Sequence, residues 1–198
     1  MRDITGGSAA RFDRQMLFLE RRFFPDSRAW VCSRAQGRTL EIAVGTGLNL
    51  PYYRDDITLT AVDLEPAMLV LARQRAQSLG REVVVQVADA QALPYDDASF
   101  DTVVSTFAMC GVPDVAATIG EAMRVLTPGG RLLLADHVIA TNTFVRWGQR
   151  VFDAITVPMS GEHWTRRPMD ELVASGARVV ESVRTRSGAI EQIHAVRD

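Results

Sequence analysis

Short apolar runs alternate with amphipathic stretches along most of this chain. Helical patterns occupy residues 66–78 and 114–126. Apolar runs typical of strands lie near 40–44, 58–62, 83–87, 101–106 and 131–137. Alternation of this kind implies a parallel sheet that is covered by helices on both faces. The hydrophobic pattern therefore predicts an α/β fold.

The C-terminal tail has a different pattern. A predicted helix at 168–175 is followed by strands at 177–184 and 189–196, with a turn at 187–188 between them. Two strands that are joined by a short turn pair antiparallel. The sheet is therefore expected to end in an antiparallel strand.

Length and composition limit the possible functions. At 198 residues the chain is expected to form one domain with a substantial core. A net charge of −2 argues against a nucleic-acid partner, which would require a basic surface. Cys32 and Cys110 are too few for a disulfide framework, and no metal-ligand spacing occurs, so no metal is expected. The sequence has neither a signal-like start nor an apolar run of membrane-spanning length, which predicts a cytoplasmic location.

The turn after the first predicted strand is the most specific local feature. That strand contains Glu41 and ends in Gly45-Thr46-Gly47, where glycines let the backbone approach a ligand closely. A dinucleotide site would require a third glycine, and Leu50 stands at its position. The chain also contains no lysine and therefore no Walker loop for phosphates. A nucleoside ligand without phosphates fits this turn better than NAD does.

Two carboxylates follow the next two predicted strands. Asp63 can accept hydrogen bonds from both hydroxyls of a ribose. Asp89 can accept one from the adenine amino group, and the small Ala90 leaves room for the ring. Glu41 either braces the backbone amides of the glycine turn or faces an ammonium group of the ligand, because a buried carboxylate is costly without a partner. These residues together predict S-adenosylmethionine (SAM) as the cofactor.

The ordered series of motifs resembles the class I SAM-dependent methyltransferases over residues 38–140. The likeness rests on the Glu-x-x-x-Gly-x-Gly turn at 41–47, on Asp63, on Ala-Asp-Ala at 88–90 and on Leu-Thr-Pro-Gly-Gly at 126–130. It implies a Rossmann-like class I methyltransferase fold: a mostly parallel seven-stranded sheet with an antiparallel last strand and helices on both faces.

The resemblance also implies how a single domain, 1–198, is divided. The parts are an N-terminal helical cap at 9–36, the SAM-binding core at 38–140, an acceptor-side segment at 141–167 and a C-terminal helix with a hairpin at 168–198.

A cofactor role carries over from the family to six motif residues, which are Glu41, Gly45, Gly47, Asp63, Asp89 and Ala90. Neighbours at the same strand ends complete the predicted cofactor-binding set: Ala43, Asn49, Leu50, Leu64, Met68 and Phe107. The product of the cofactor would be S-adenosylhomocysteine.

Methyl transfer from a sulfonium mainly requires alignment of the acceptor, so the chemistry demands no particular catalytic dyad. His137 and His163 are the candidates for a general base or for orienting the acceptor. The alternative for His137 is a structural hydrogen bond at a strand end. The predicted acceptor-binding residues are Phe12, Met16, Cys110, Trp147 and Trp164.

An apolar stripe within residues 9–36 predicts an N-terminal helix. Phe12, Met16, Leu19 and Phe23 follow one another at spacings of four, three and four residues, with arginines around them. Three interpretations stay open: a helix packed on the core, a lid over the substrate, or a helix at a membrane surface.

A narrower resemblance concerns the acceptor. Segments 47–53, 110–114, 147–153 and 161–167 are similar to a small bacterial subgroup of phospholipid N-methyltransferases and thiol S-methyltransferase-like proteins. Members of that subgroup often carry Cys-His after the loop glycine, whereas Gly161 is followed here by Glu162 and His163.

This resemblance implies methyl transfer to a small-molecule or lipid acceptor, with a phospholipid-type amine favoured. The alternatives are a thiol S-methyltransferase, a phenol or quinone O- or C-methyltransferase, and a SAM-binding regulatory domain without activity. The chain is expected to act as a monomer or homodimer, with peripheral membrane contact in the lipid version.

Overall fold

A computed structural model describes residue 13 and residues 26–160, 163–185 and 188–198. The described strands are β1 Arg38–Ile42, β2 Thr58–Asp63, β3 Val83–Val87, β4 Phe100–Thr106, β5 Leu126–His137, β6 Arg178–Arg184 and β7 Ile190–Val196. The described helices are α1 Ser27–Cys32, α2 Pro66–Ser78, α3 Val115–Val125, α4 Thr143–Ser160 and α5 Pro168–Ala174, with a short 3₁₀ turn at Leu50–Tyr52. Most of the predicted N-terminal cap, including Phe12 and Met16, lies outside the described residues.

The strands form one sheet in the spatial order β3-β2-β1-β4-β5-β7-β6. Strands β1 to β5 pair in parallel, and β7 pairs antiparallel with both β5 and β6. This arrangement confirms the predicted mostly parallel, seven-stranded sheet with an antiparallel last strand. The carboxyl ends of the parallel strands meet at one edge, where open α/β sheets bind their ligands.

Both faces of the sheet are buried, as a parallel sheet requires. On β5, Leu132 and Leu134 pack in one cluster with residues of α3 and α5. Leu133 and Ala135, which point to the other face, pack with residues of α1. Alternate side chains of one strand therefore hold helices on opposite sides.

Two differences from the sequence expectation concern the elements themselves. Strand β5 begins at Leu126, before the run predicted at 131–137, because Leu126 already pairs with Phe100 of β4 ahead of a register shift. Segment 141–167, for which no secondary structure was predicted, contains helix α4. In the part of the chain that the structure describes, no helix has both the length and the hydropathy needed to cross a membrane.

The glycine turn after β1 has left-handed backbone at both glycines, with φ of +57° at Gly45 and +81° at Gly47. A Cβ at Gly47 would lie 2.9 Å from the Leu50 Cδ1 and 3.3 Å from the Ala72 Cα. A Cβ at Gly45 would meet no atom within 4 Å. Gly47 therefore permits close packing of the turn on α2, while Gly45 leaves open space on its other side.

A buried polar network holds this turn from below. Glu41 is 1% exposed, and its carboxylate accepts hydrogen bonds from the Asn49 Nδ2 at 2.8 Å and from the Tyr53 hydroxyl at 2.9 Å. Its partners are thus side chains beyond the turn, so the expectation that Glu41 braces the amides of the glycine turn is wrong. The reason is that Asn49 and Tyr53 lie under the turn and donate one hydrogen bond to each of the two carboxylate oxygens.

The network continues across the sheet to α1. Asn49 also donates to the Thr106 Oγ1 at 2.9 Å, and Arg28 donates to the Asn49 Oδ1 at 2.8 Å and to the Thr106 Oγ1 at 2.9 Å. Burial raises the pKa of Glu41 to about 7, although the two hydrogen bonds and the positive charge of Arg28 oppose this rise. The ends of β1 and β4 are therefore joined by side-chain hydrogen bonds as well as by the sheet.

This raised pKa predicts how the stability of the fold depends on pH. Glu41 binds its proton more tightly in the folded chain, with a pKa of about 7 instead of 4.5, so its contribution is full below 4.5 and is lost as the pH rises through about 7. The loss is on the order of 3 kcal/mol. Glu41→Gln, which stays neutral, should remove this dependence. The difference in the free energy of unfolding, Glu41→Gln minus wild type, should therefore increase as the pH rises.

Urea unfolding across this pH range measures the effect, and Glu82→Gln on the exposed surface is the matched control. Curves for the wild type and Glu41→Gln that stay parallel at every pH would contradict the assignment.

Candidate active site

A cavity of about 310 Å³ opens at the carboxyl ends of the strands. Of the residues predicted to bind cofactor or acceptor, it is lined by Ala43, Asp63, Leu64, Asp89, Ala90, Phe107 and Cys110. The lining residues that the sequence did not single out are Ala88, Gln91, Ala108, Gly111, Val112 and Pro113. These seven predicted residues therefore lie together around one cavity.

Two cavity residues have strained backbone. Ala43 and Phe107 both have φ of +54°, a left-handed conformation that side chains other than glycine rarely adopt. Each stands directly after a strand, β1 and β4 respectively, and the strain is held by sheet-like hydrogen bonds from Val44 to Val62 and from Phe107 to Ala135. Such strain costs roughly 1–3 kcal/mol and is concentrated at functional sites.

Asp63 joins the glycine turn to the end of β2. Its Oδ2 accepts a hydrogen bond from the Gly45 amide at 2.8 Å, and its Oδ1 accepts one from the Glu65 amide at 2.9 Å. Each carboxylate oxygen can accept a further hydrogen bond. The backbone thus fixes the orientation of Asp63 while leaving it able to accept from two ribose hydroxyls.

Asp89 is oriented by a neighbour that the sequence analysis missed. Its Oδ1 accepts hydrogen bonds from the Gln91 amide at 2.8 Å and from the Gln91 Nε2 at 3.1 Å. The Gln91 Oε1 accepts in turn from the Asp114 amide at 3.1 Å. The bond from the Gln91 amide to Asp89 is an Asx turn, which Asp commonly forms with the backbone two residues on, so the Asp itself was the available signal.

Asp13 is bonded to the glycine turn and to α2. Its Oδ1 accepts a hydrogen bond from the Thr46 hydroxyl, and its Oδ2 accepts one from Arg75, both at 2.6 Å. Arg75 also donates to the Thr46 carbonyl at 2.7 Å. Because Thr46 lies between Gly45 and Gly47, this buried ion pair holds residue 13 against the turn itself.

Asp136, at the end of β5, organises the loop that lines the cavity. Its Oδ2 accepts hydrogen bonds from the amides of Ala108 at 2.8 Å and Met109 at 2.6 Å, and its Oδ1 accepts from the His137 amide at 2.8 Å. Burial raises the pKa of Asp136 to about 6, against the lowering effect of these amides. The carboxylate thus serves to position the loop after β4.

His137, the first catalytic candidate, is a buried and uncharged ring. Burial and the charge of Arg28 lower the pKa of His137 to about 4, so the imidazole is neutral at pH 7. Its ring centroid lies 5.1 Å from that of Phe107 and 4.2 Å from that of Trp164. The structure therefore places His137 in an aromatic cluster behind the cavity wall.

Cys110, Asp136 and His137 lie together, with possible ligand atoms within 4.8 Å of one another. The sequence spacing gave no indication of this group, because the three residues come from two different strand ends. The Asp136 oxygens already accept from three backbone amides, and the Cys110 Sγ lies 3.6 Å from the Phe107 carbonyl oxygen. These contacts explain the cluster as part of the loop structure.

The segment after α4 packs on the loop that lines the cavity. The His163 amide donates to the Cys110 carbonyl at 2.8 Å, and Arg166 donates to the carbonyls of Met109, at 2.8 Å, and Val112. This docking brings Trp164 onto His137. A catalytic role for the His163 side chain stays a prediction.

Several predicted site residues are not part of the cavity lining. Glu41, Asn49 and Leu50 are buried below the turn, Gly45 and Gly47 form the turn itself, and Met68 lies in the first turn of α2. Trp147 is 72% exposed on α4, so its role in acceptor binding also stays a prediction.

A cavity neighbour that the sequence missed is Arg28. Its guanidinium carbon lies 5.0 Å from the centroid of the Phe107 ring. No local pattern indicated this residue, because its hydrogen-bond partners are 21 and 78 residues away along the chain.

A continuous series of rings leads from α4 to the cavity. Phe152 on α4 meets Trp164 edge-on, with the two ring centroids 5.4 Å apart. The centroid distance is 4.2 Å from Trp164 to His137 and 5.1 Å from His137 to Phe107. Phe107 lines the cavity and Phe152 is half exposed. Phe107 is thus the aromatic side chain in the cavity lining, and the rings of His137 and Trp164 stand behind it.

Comparison with known proteins agrees with this geometry. Residues 40–134 match the family described as "Methyltransferase domain". The chain is 38% identical over 103 residues to a phosphatidylethanolamine N-methyltransferase of Cereibacter sphaeroides, covering 51% of each protein. It is 39% identical over 106 residues to a demethylmenaquinone methyltransferase of Thermus thermophilus, covering 52% of this chain and 48% of that protein. The chain thus spans about half the length of these curated relatives.

Solved structures show the same fold. A SAM-dependent methyltransferase from Thermotoga maritima superposes with a TM-score of 0.70 at 23% identity, covering 95% of this chain and 97% of that one. Another from Aquifex aeolicus gives a TM-score of 0.68 at 16% identity, covering 96% and 98%. At these identities the likeness concerns the fold alone.

The glycine turn and the two strand-end carboxylates lie within the region that matches the family, and their arrangement fits a nucleoside cofactor without phosphates. Residues 40–134 match the methyltransferase-domain family, and the chain has the class I fold of the solved SAM-dependent methyltransferases.

Proposed function

We propose that this chain transfers the methyl group of SAM to the amine of a phospholipid-type acceptor. The observation that carries the proposal is the series of rings from Phe152 to Phe107, which joins an exposed apolar helix to the cavity. A lipid has an apolar portion that can pack against these rings. Similarity to the phosphatidylethanolamine N-methyltransferase supports the same acceptor class.

The residues present fit SAM. Asp63 would accept from the ribose hydroxyls and Asp89 from the adenine amino group, with the small Ala90 beside it. The open space at Gly45 lets the backbone approach the ligand. SAM supplies an activated methyl group when bound, so the protein's task is to align the acceptor and to exclude water.

The aromatic wall suits an amine that becomes a quaternary ammonium. Cations bind over the faces of aromatic rings. The guanidinium of Arg28 lies over one face of Phe107, 5.0 Å from the ring centroid, so an ammonium group would use the other face. His137 is neutral and adds no second positive charge there. A quinone is the second candidate, because it also fits an aromatic wall and because a relative is named a demethylmenaquinone methyltransferase.

Release of S-adenosylhomocysteine from SAM tests the acceptor. We expect turnover with phosphatidylethanolamine vesicles, rising with pH as the amine loses its proton, and none with a small thiol. Phe107→Leu should lower kcat/KM roughly 2- to 30-fold, since Phe107 lines the cavity and a cation–π contact contributes about 0.5–2 kcal/mol. Phe107→Tyr, which keeps a ring, is the matched variant. Turnover with demethylmenaquinol and not with the amine would replace the proposal by the quinone alternative.

The assignment of Asp63 predicts a loss of cofactor affinity on substitution. Asp63→Ala removes the acceptor of two hydroxyls, and hydrogen bonds to a charged group contribute about 1.5–3 kcal/mol each, so the Kd for SAM should rise at least about tenfold. Titration calorimetry measures this value. The matched control is Asp55→Ala, which removes an exposed carboxylate that pairs with Arg81 on the surface.

Because Asp63→Ala also releases the Gly45 amide, unfolding is measured on the same preparations. An unchanged Kd in a folded Asp63→Ala variant would remove this residue from the site.

A further inference from the structure

Helix α4 presents an apolar face to the outside. Phe144 is 88% exposed and Trp147 is 72% exposed. Val151 and Ile155 continue the same stripe at helical spacing, and they are 46% and 55% exposed. Large apolar side chains are normally buried when they form a contiguous stripe, so this face is a candidate binding surface.

The opposite face of α4 fixes the orientation of the helix. The Gln149 side chain donates to the Val138 carbonyl at 2.9 Å and accepts from the Ala140 amide at 2.8 Å. Asp153 accepts from the Trp164 amide at 2.7 Å and from the Thr165 hydroxyl at 2.5 Å. The polar side of the helix is therefore bonded to the sheet end and to the loop, which leaves the apolar side outward.

The charges on α4 favour an anionic surface as its partner. Its one carboxylate, Asp153, is occupied by the inward contacts just described. Arg150 is exposed beside the apolar stripe, and Arg146 donates to the carbonyls of Ala140 and Thr141, neutral acceptors that leave its positive charge in place. Two copies of the chain that met through this face would bring these arginines together, whereas anionic lipid would neutralise them.

We propose that the outward face of α4 docks on an anionic lipid surface. The helix would lie in the plane of that surface with its aromatic residues inserted and its arginines at the headgroups, as interfacial amphipathic helices do. Phe152 on this helix begins the series of rings that ends in the cavity. The inference deepens the proposed function and rests on it, because it names the surface from which a lipid acceptor would reach the site.

Sedimentation with vesicles tests the docking of the full chain. We expect binding to phosphatidylcholine vesicles that contain phosphatidylglycerol, and weak binding to phosphatidylcholine alone. The double substitution Phe144→Ser and Trp147→Ser should lower the partition coefficient at least about tenfold. The matched control is Val173→Ser with Val180→Ser, which removes two residues of comparable exposure, 60% and 50%, elsewhere on the surface.

Depth-dependent quenching gives a second readout. Lipids brominated on the acyl chain should quench the fluorescence of Trp147, and Trp147→Phe should lose most of that quenching while it still sediments with anionic vesicles. Arg150→Glu should weaken sedimentation, and so should added salt.

The outcomes separate this inference from the proposed function. A wild-type chain that stays in the supernatant with anionic vesicles, or a double variant that sediments as the wild type does, would overturn the docking. Loss of a dimer in the double variant, without vesicle binding by the wild type, would instead make this face an interface between copies. Methylation of a short-chain, water-soluble phosphoethanolamine lipid reports on the proposed function alone, because it does not require docking.

Discussion

Burial of the Glu41 carboxylate within β1 constrains the glycine turn and the neighbouring strand end at the edge of the sheet. A charged or protonated carboxyl in that position must be hydrogen-bonded, and Asn49 and Tyr53 are brought under the glycine turn to supply the donors. The path of the chain from β1 into the 3₁₀ turn is thereby fixed. Asn49 extends the constraint to Thr106 on β4, so two neighbouring strand ends are set relative to each other.

The strained residues of the cavity depend on this rigid base. Ala43 and Phe107 can keep a left-handed φ because hydrogen bonds on both sides hold their neighbours. Asp136 adds three backbone hydrogen bonds in and beside the loop after β4. The cofactor side is therefore preorganised, with its carboxylates oriented by backbone amides before any ligand arrives.

Much of the cofactor side was predictable from the sequence, because it depends on local patterns. Apolar runs indicated the strands, and Asp63 and Asp89 lie where a strand-end acid must lie in a parallel sheet. Arg28 was missed because its contacts are long-range. Helix α4 was not predicted although its sequence carries the signal, since Phe144, Trp147, Val151 and Ile155 follow one another at helical spacing. The sequence does not show that this apolar stripe faces outward, because that depends on the contacts of Gln149 and Asp153 with the sheet end and the loop.

The two sides of the cavity differ in their electrostatics. Asp63 and Asp89 supply carboxylate oxygens on the side of the glycine turn, while the opposite wall is made of Phe107 with His137 and Trp164 behind it. In the proposed reaction the sulfonium donor and the ammonium product are both cations, so the site would have to attract them without binding the product as tightly as an ion pair would. Aromatic faces provide a moderate attraction of that kind, about 0.5–2 kcal/mol. Burial keeps His137 neutral, so the ring that supports Phe107 from behind adds no charge of its own.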